Sequence, residues 1–121
     1  MNFKTIINQF LSSKYLAFTI TLFLFAIFTM PNDDIPVPTL INDKAIHFIA
    51  FFGWAFCWQH AFEMPLRTIL IGFAYGLLIE FWQAILPDSF HRSFDLFDSL
   101  YDCFGVLAGV ILCQLKKMAN L

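Results

Sequence analysis

At 121 residues the chain has room for one domain, and its 60% hydrophobic and 13% charged residues lie far from the roughly 25% charged of an ordinary soluble domain. Its 17 phenylalanines, many in unbroken apolar runs, exceed what a water-soluble fold of this length can hide, so the composition points to a bilayer-embedded protein. A net charge of −2 with no basic run gives no footprint for nucleic acid.

Residues 2–12 place Phe3, Ile6, Ile7, Phe10 and Leu11 on one side and Asn8, Gln9 and Ser12 on the other, which predicts an interfacial helix or the wet end of a first span. Lys14 then precedes an uncharged run from Tyr15 to Met30. No small-x-small cleavage pattern follows it, so the run is read as a retained span over 15–30 rather than a signal peptide. Pro31 to about Asn42, with Asp33 and Asp34, reads as an exposed, semi-rigid connection.

A second helix, capped by Asn42 or Asp43, runs to Phe62 with its span at 45–62, and EMPLR reads as a tight turn containing Pro65. The third helix is predicted from about Thr68 to Leu86, ended by Pro87, with DSFHRS as the next loop. The fourth begins between Asp95 and Ser99 and continues to Leu115, its span at 99–115, before Lys116 and Lys117. The expected fold class is an all-α membrane protein: one domain over 1–121, with four transmembrane helices in an antiparallel bundle. Cys57, Cys103 and Cys113 fall in apolar segments and suggest neither a disulfide framework nor a zinc spacing.

Basic residues flanking spans are retained in the cytoplasm. Lys4, Lys14, Arg67, Lys116 and Lys117 fall on one side of the expected bundle, against Lys44 and Arg92 on the other, so both termini are expected inside. The outward side then carries Asp33, Asp34, Asp43, Asp88, Asp95, Asp98 and Asp102.

Three polar groups stand out. Asp43 and His47 are four apart and share a helical face, so the carboxylate can orient the imidazole, or simply cap the helix beside a headgroup-level histidine; Lys44 lies between them. Glu80 sits about 9 Å inside its helix, on one face with Gln83, Gly72 and Gly76, and needs a partner or a proton at that depth. Arg92, Asp95, Asp98 and Asp102 follow at spacings of three, three and four; a row of carboxylates implies a base, a proton or a cation among them. Asp95, Asp98, Asp102, Gly105 and Gly109 share one helical face, and the Gly72–Gln83 stripe is the neighbour expected to receive it. No charged residue continues the path through the inner half of the last three spans, which suits a dead-end pocket better than a channel.

The segments DKAIHF at 43–48, EFWQ at 80–83, and R-x-x-D-x-x-D at Arg92, Asp95 and Asp98 followed by Gly105 resemble the VanZ family of small bacterial membrane proteins in order and spacing. The resemblance covers about half the chain, Asp43 to Gly109, and departs from the family at Asp102, where an asparagine is usual. It implies a bacterial inner-membrane location, a link to the cell envelope and, through the family's namesake, to low-level teicoplanin resistance, without supplying a reaction.

The leading expectation is an outward pocket of Asp43, Lys44, His47, Glu80, Gln83, Arg92, Asp95, Asp98 and Asp102 that binds an anionic lipid or cell-wall precursor, clasped by Arg92 and Lys44. His47 and Glu80 are the candidates for proton chemistry, and Asp95 and Asp98 for holding a divalent cation. The alternative is an accessory or scaffold protein whose polar residues lock helix packing or a partner. A proton-coupled transporter ranks below both, because no inverted repeat is present.

Overall fold

The computed structural model describes residues 1–31 and 42–121. The expected connection carrying Asp33 and Asp34 lies outside the described residues. The described residues form five α-helices: α1 (Phe3–Leu11), α2 (Lys14–Thr29), α3 (Asp43–Phe62), α4 (Pro65–Ala84) and α5 (Leu96–Met118), with a short 3-10 turn at Asp88–Phe90. No strand occurs among the described residues.

Each helix start has a local cause. Asn2, Ser13, Asn42 and Asp95 accept the backbone N–H of Thr5, Leu16, Ala45 and Phe97 in turn, as side-chain caps do. Pro65 belongs to the first turn of α4 rather than to a turn between helices, a place where its missing N–H and fixed φ cost nothing. The α3–α4 connection is therefore only Glu63 and Met64, closed by Glu63 in the left-handed region at φ 55°. The third long helix accordingly starts before the expected Thr68 and ends before Leu86.

Residues 3–11 form a separate helix with no buried residue, bent by 56° from α2. Two helices, α4 and α5, are long and apolar enough to cross a membrane, or three segments if the bent α1–α2 pair counts as one broken span. The helix α2 has 16 residues, about 24 Å against a hydrocarbon core of roughly 30 Å. The helix α3 has the length, but it carries Asp43, Lys44, His47, Gln59 and His60.

Successive long helices run antiparallel. Phe28 near the end of α2 meets His47 near the start of α3, and the α3 terminus at Phe62 meets Lys14 and Arg67 at the starts of α2 and α4. The core is aromatic: Phe28, Phe51 and Trp54 are buried with Ile79 and Val106. Trp54 Nε1 donates to Thr21 Oγ1 at 2.8 Å, Tyr75 Oη to the Thr21 carbonyl at 2.5 Å, and Trp82 Nε1 to Thr29 Oγ1 at 2.9 Å. These bonds pin α2 to α3 and α4 where lipid supplies no hydrophobic force between helices.

Glycines set the closest contacts. A Cβ on Gly105 or Gly109 would strike the backbone carbonyls of Phe48 and Phe52, so α5 lies directly on the α3 backbone. The glycine half of this stripe thus lies on α3, while the expected Gly72–Gln83 face of α4 meets the stripe at Asp102. That face packs beside it, with Gly72 under Val106 and Gly76 under Asp102.

This contact yields a paired prediction. Gly105→Ala should lower stability by about 1–3 kcal/mol or more, because its methyl group meets backbone. Gly53→Ala, with nothing within 4 Å, should be neutral or stabilising by up to about 1 kcal/mol. Thermal melts in detergent compare them, and equal shifts would refute the assigned contact.

Candidate functional site

The α2 end, the α3 start, the α4 end and the α5 start meet at one end of the bundle, and His47 lies where they converge. Its ring is fully buried and stacks on Phe28, with centroids 4.5 Å apart and planes inclined by 29°. Nδ1 lies 2.7 Å from Asp102 Oδ1, across the α3–α5 contact that Gly105 permits. A neutral imidazole bonded this way donates Nδ1–H to the carboxylate, leaving Nε2 with a free lone pair.

That Nε2 has no hydrogen-bond partner among the described residues. Around it stand Asp98 Oδ2 at 3.5 Å, Asp43 Oδ2 at 3.7 Å and Glu80 Oε1 at 4.0 Å. Glu80 is held by its other oxygen, which accepts the Asp95 backbone N–H at 2.9 Å, while Oε1 is buried without a hydrogen bond. Asp102 Oδ2 is likewise buried and unbonded, 3.0 Å from where a Cβ on Gly76 would stand.

The two nearby cations are engaged by the protein. Lys44 Nζ bridges Asp95 Oδ2 at 3.2 Å and Asp98 Oδ1 at 3.1 Å. Arg92 donates from Nε to the Met30 carbonyl at 3.0 Å and from Nη2 to the Ile27 carbonyl at 3.1 Å, with Nη1 3.9 Å from Asp43 Oδ1. Gln83 Nε2 donates to the Phe28 carbonyl at 3.1 Å. The last turn of α2, whose carbonyls have no partners within the helix, is thus capped by side chains from α4 and the following loop, with a positive charge at the dipole's negative end.

Two expectations change as a result. Arg92 and Gln83 close the end of α2 instead of reaching into a ligand pocket, and the Arg92 side chain is only 4% exposed. Asp95 caps α5 and pairs with Lys44, and it belongs to neither set of side chains whose ligand atoms come within 4.8 Å of one another; those sets are Asp43, His47 and Asp98, and His47, Glu80 and Asp102. Asp43, Lys44, His47, Glu80, Asp98 and Asp102 do come together. Phe28, the ring covering His47, had no signal in the sequence, being one phenylalanine of 17.

A cavity of about 190 Å³ lies at the other end of the bundle, bordered by Asn8, His60, Glu63 and Lys116. There the Lys116 ammonium already meets Asn8 Oδ1, His60 Nε2 and the Leu121 carbonyl, so the cavity offers no unmatched polar group comparable to His47 Nε2.

The sequence model of the VanZ/LLP1 family matches residues 2–117. The chain belongs to this family. A VanZ/LLP1 relationship resting first on Asp43 to Gly109 therefore extends over nearly the whole chain, α1 and α2 included. An uncharacterized protein of Schizosaccharomyces pombe, C11E3.10, is 33% identical over 114 residues, covering 89% of this chain and 63% of that protein. A relative of this chain thus occurs in a yeast. No solved structure matches.

Two outcomes follow from these bonds. Arg92→Lys keeps a charge but loses the fork that spans the Ile27 and Met30 carbonyls, so it should destabilise by about 1–3 kcal/mol in a thermal melt; a parent-like melt would remove Arg92 from the cap. At Asp95 the Phe97 N–H and then Lys44 hold the carboxyl below the usual carboxylate range. A depressed folded pKa adds stability that is fully present above the unfolded value, about 3.9, and is lost as pH falls through the folded one. Asp95→Asn, which keeps a capping side chain, should therefore melt below the parent at pH 7, and the gap should close under acid. A gap independent of pH would assign the difference to something other than this charge.

Proposed function

We propose that this VanZ/LLP1 protein is a single membrane domain that crosses the bilayer four times, with α1 along the interface and both termini cytoplasmic. Lys4, Lys14, Arg67, Lys116 and Lys117 gathered at the α1 end support that orientation, which turns the His47 cluster to the opposite face. There the cluster binds or modifies a phosphate-bearing lipid or lipid-linked envelope molecule.

The observation that carries this reading is the Asp102–His47 pair: a buried imidazole fixed from behind by a carboxylate, its Nε2 aimed at Asp43, Asp98 and Glu80 with no hydrogen bond. An imidazole held in one tautomer is suited to proton transfer or ligation, and Glu80 stands beside it as a second proton carrier. The mouth lies at Asp43 and Lys44, whose side chains are 44% and 37% exposed, so Lys44 is the cation placed to meet an incoming phosphate. A relative in a yeast favours a phosphate lipid of general occurrence over a precursor confined to bacterial walls. A bacterial inner-membrane location and a contribution to teicoplanin resistance are narrower forms of the same proposal.

A scaffold role has one specific support, the use of Gln83 and Arg92 to fasten α2. It accounts for those two residues and leaves the unbonded His47 and Glu80 atoms without a purpose.

Native mass spectrometry of the full chain released from its own membrane separates the readings. The parent should retain a phosphate-bearing lipid, and Lys44→Gln, which keeps N–H donors toward Asp95 and Asp98, should reduce occupancy at least about 10-fold while still melting cooperatively. A bare chain, or a protein partner retained equally by both, would replace this reading with the scaffold.

A further inference from the structure

We infer that His47 Nε2, Asp43 and Asp98 form a binding site for one divalent transition-metal ion, with Asp102 as the residue that orients the histidine. The inference rests on the reading of this cluster as a ligand site and names the ion that would act in it.

The charge balance comes first. Among the described residues, Asp43, Glu80, Asp95, Asp98 and Asp102 face Lys44 and Arg92, so this set is three charges short when its carboxyl groups are ionised and His47 is neutral. Asp43 and Asp98, and likewise Glu80 and Asp102, bring carboxylate oxygens within 4.8 Å of each other, where like charges repel unless something positive lies among them. An acidic cluster alone could instead be relieved by protons. The hydrogen-bond pattern is what points to an ion: a protonated carboxyl group seeks an acceptor and an imidazolium uses both N–H groups, yet His47 Nε2 and Glu80 Oε1 are fully buried, adjacent and without a hydrogen bond.

The spacing agrees with this assignment. Ligand atoms about 2.1 Å from a tetrahedral metal lie roughly 3.4 Å apart. Asp98 Oδ2 is 3.5 Å and Asp43 Oδ2 3.7 Å from Nε2, and the three side chains offer ligand atoms within 4.8 Å of one another; Glu80 Oε1, 4.0 Å from Nε2, stands outside that set. An Asp–His pair behind the ligating nitrogen is the arrangement that fixes its tautomer and orientation, and Asp102 supplies it at 2.7 Å. One imidazole with carboxylate oxygens and no thiolate suits Mn²⁺, Fe²⁺ or Zn²⁺ better than a soft ion. The half-exposed Asp43 gives a path of entry.

An ion there also resolves a difficulty for the proposed ligand. A cluster with excess negative charge repels a phosphate, whereas a bound dication lets the same carboxylates present one to it.

The test uses the full chain in detergent, stripped with chelator and titrated with Mn²⁺ alone. The parent should bind about one Mn²⁺ and show in pulsed electron paramagnetic resonance a directly bound imidazole nitrogen, a signature requiring no variant. His47→Gln should lose that nitrogen, and His60→Ala, at the opposite end, should keep it. Asp102→Asn, which retains an oxygen toward Nδ1, should weaken binding about 10-fold, within the 10- to 100-fold expected when an orienting partner changes. Asp98→Asn and Asp43→Asn should each weaken it further. A folded parent that binds neither Mn²⁺ nor Zn²⁺ at 100-micromolar concentration, about the weakest affinity useful to a resident ion, would overturn the inference, as would a nitrogen signal that survives in His47→Gln. Phosphate-lipid retention by metal-free protein at full strength would overturn the ion and spare the functional reading. Mn²⁺ bound at His47 with no phosphate-bearing lipid retained would do the reverse.

Discussion

The contact of α5 with the backbone of α3 is the constraint on which the rest depends. Gly105 and Gly109 bring the two helices so close that the carbonyls of Phe48 and Phe52 touch the α5 backbone, and one turn farther along the same face Asp102 reaches His47. A side chain at either glycine would separate the helices by more than the slack in a 2.7 Å hydrogen bond. Packing and chemistry are therefore one feature: the smooth half of the α5 stripe sets the distance at which its acidic half works. The Gly76 position acts similarly from α4, leaving room for Asp102 Oδ2.

The second constraint is the end of α2. A helix terminus in an apolar setting cannot leave carbonyls without donors, and this one borrows them from Gln83 and Arg92. The cap holds Phe28 flat against His47, so a purely structural set of bonds determines what covers the imidazole. Residues that contact no ligand can thus alter the site through the placement of one ring.

Much of the helical framework was legible because its signals are local. Asn42, Pro87 and the uncharged run after Lys14 mark element limits through capping, ring geometry and hydropathy, and the 3.6-residue period gathered Asp98, Asp102, Gly105 and Gly109 on one face. The choice of partner was not legible. Both α3 and α4 could receive that face, and the decision rests on which backbone admits the closer approach, which the spacing of glycines on α5 does not reveal. The roles of Arg92 and Gln83 were hidden for a related reason: their acceptors are backbone carbonyls of α2, and a carbonyl has no letter in the sequence. Pro65 reads equally as loop or helix start, because proline signals both loops and first helical turns, and only the brevity of the Glu63–Met64 connection separates the two.

That two-residue connection has a consequence for biogenesis. The helices α3 and α4 form a hairpin with its turn at Glu63 and Met64, and His47 and Glu80 both lie toward the hairpin's open end. Asp98 and Asp102 come later in the chain, on α5. During synthesis the imidazole and the carboxylate emerge before the residues that surround them, and a hairpin entering the bilayer first would carry two unmatched polar groups. With α3 as one of the four proposed spans, insertion of α3 and α4 together with α5, as one three-helix unit, would avoid that intermediate. The same polar residues that make the site would then time the assembly of the protein around it.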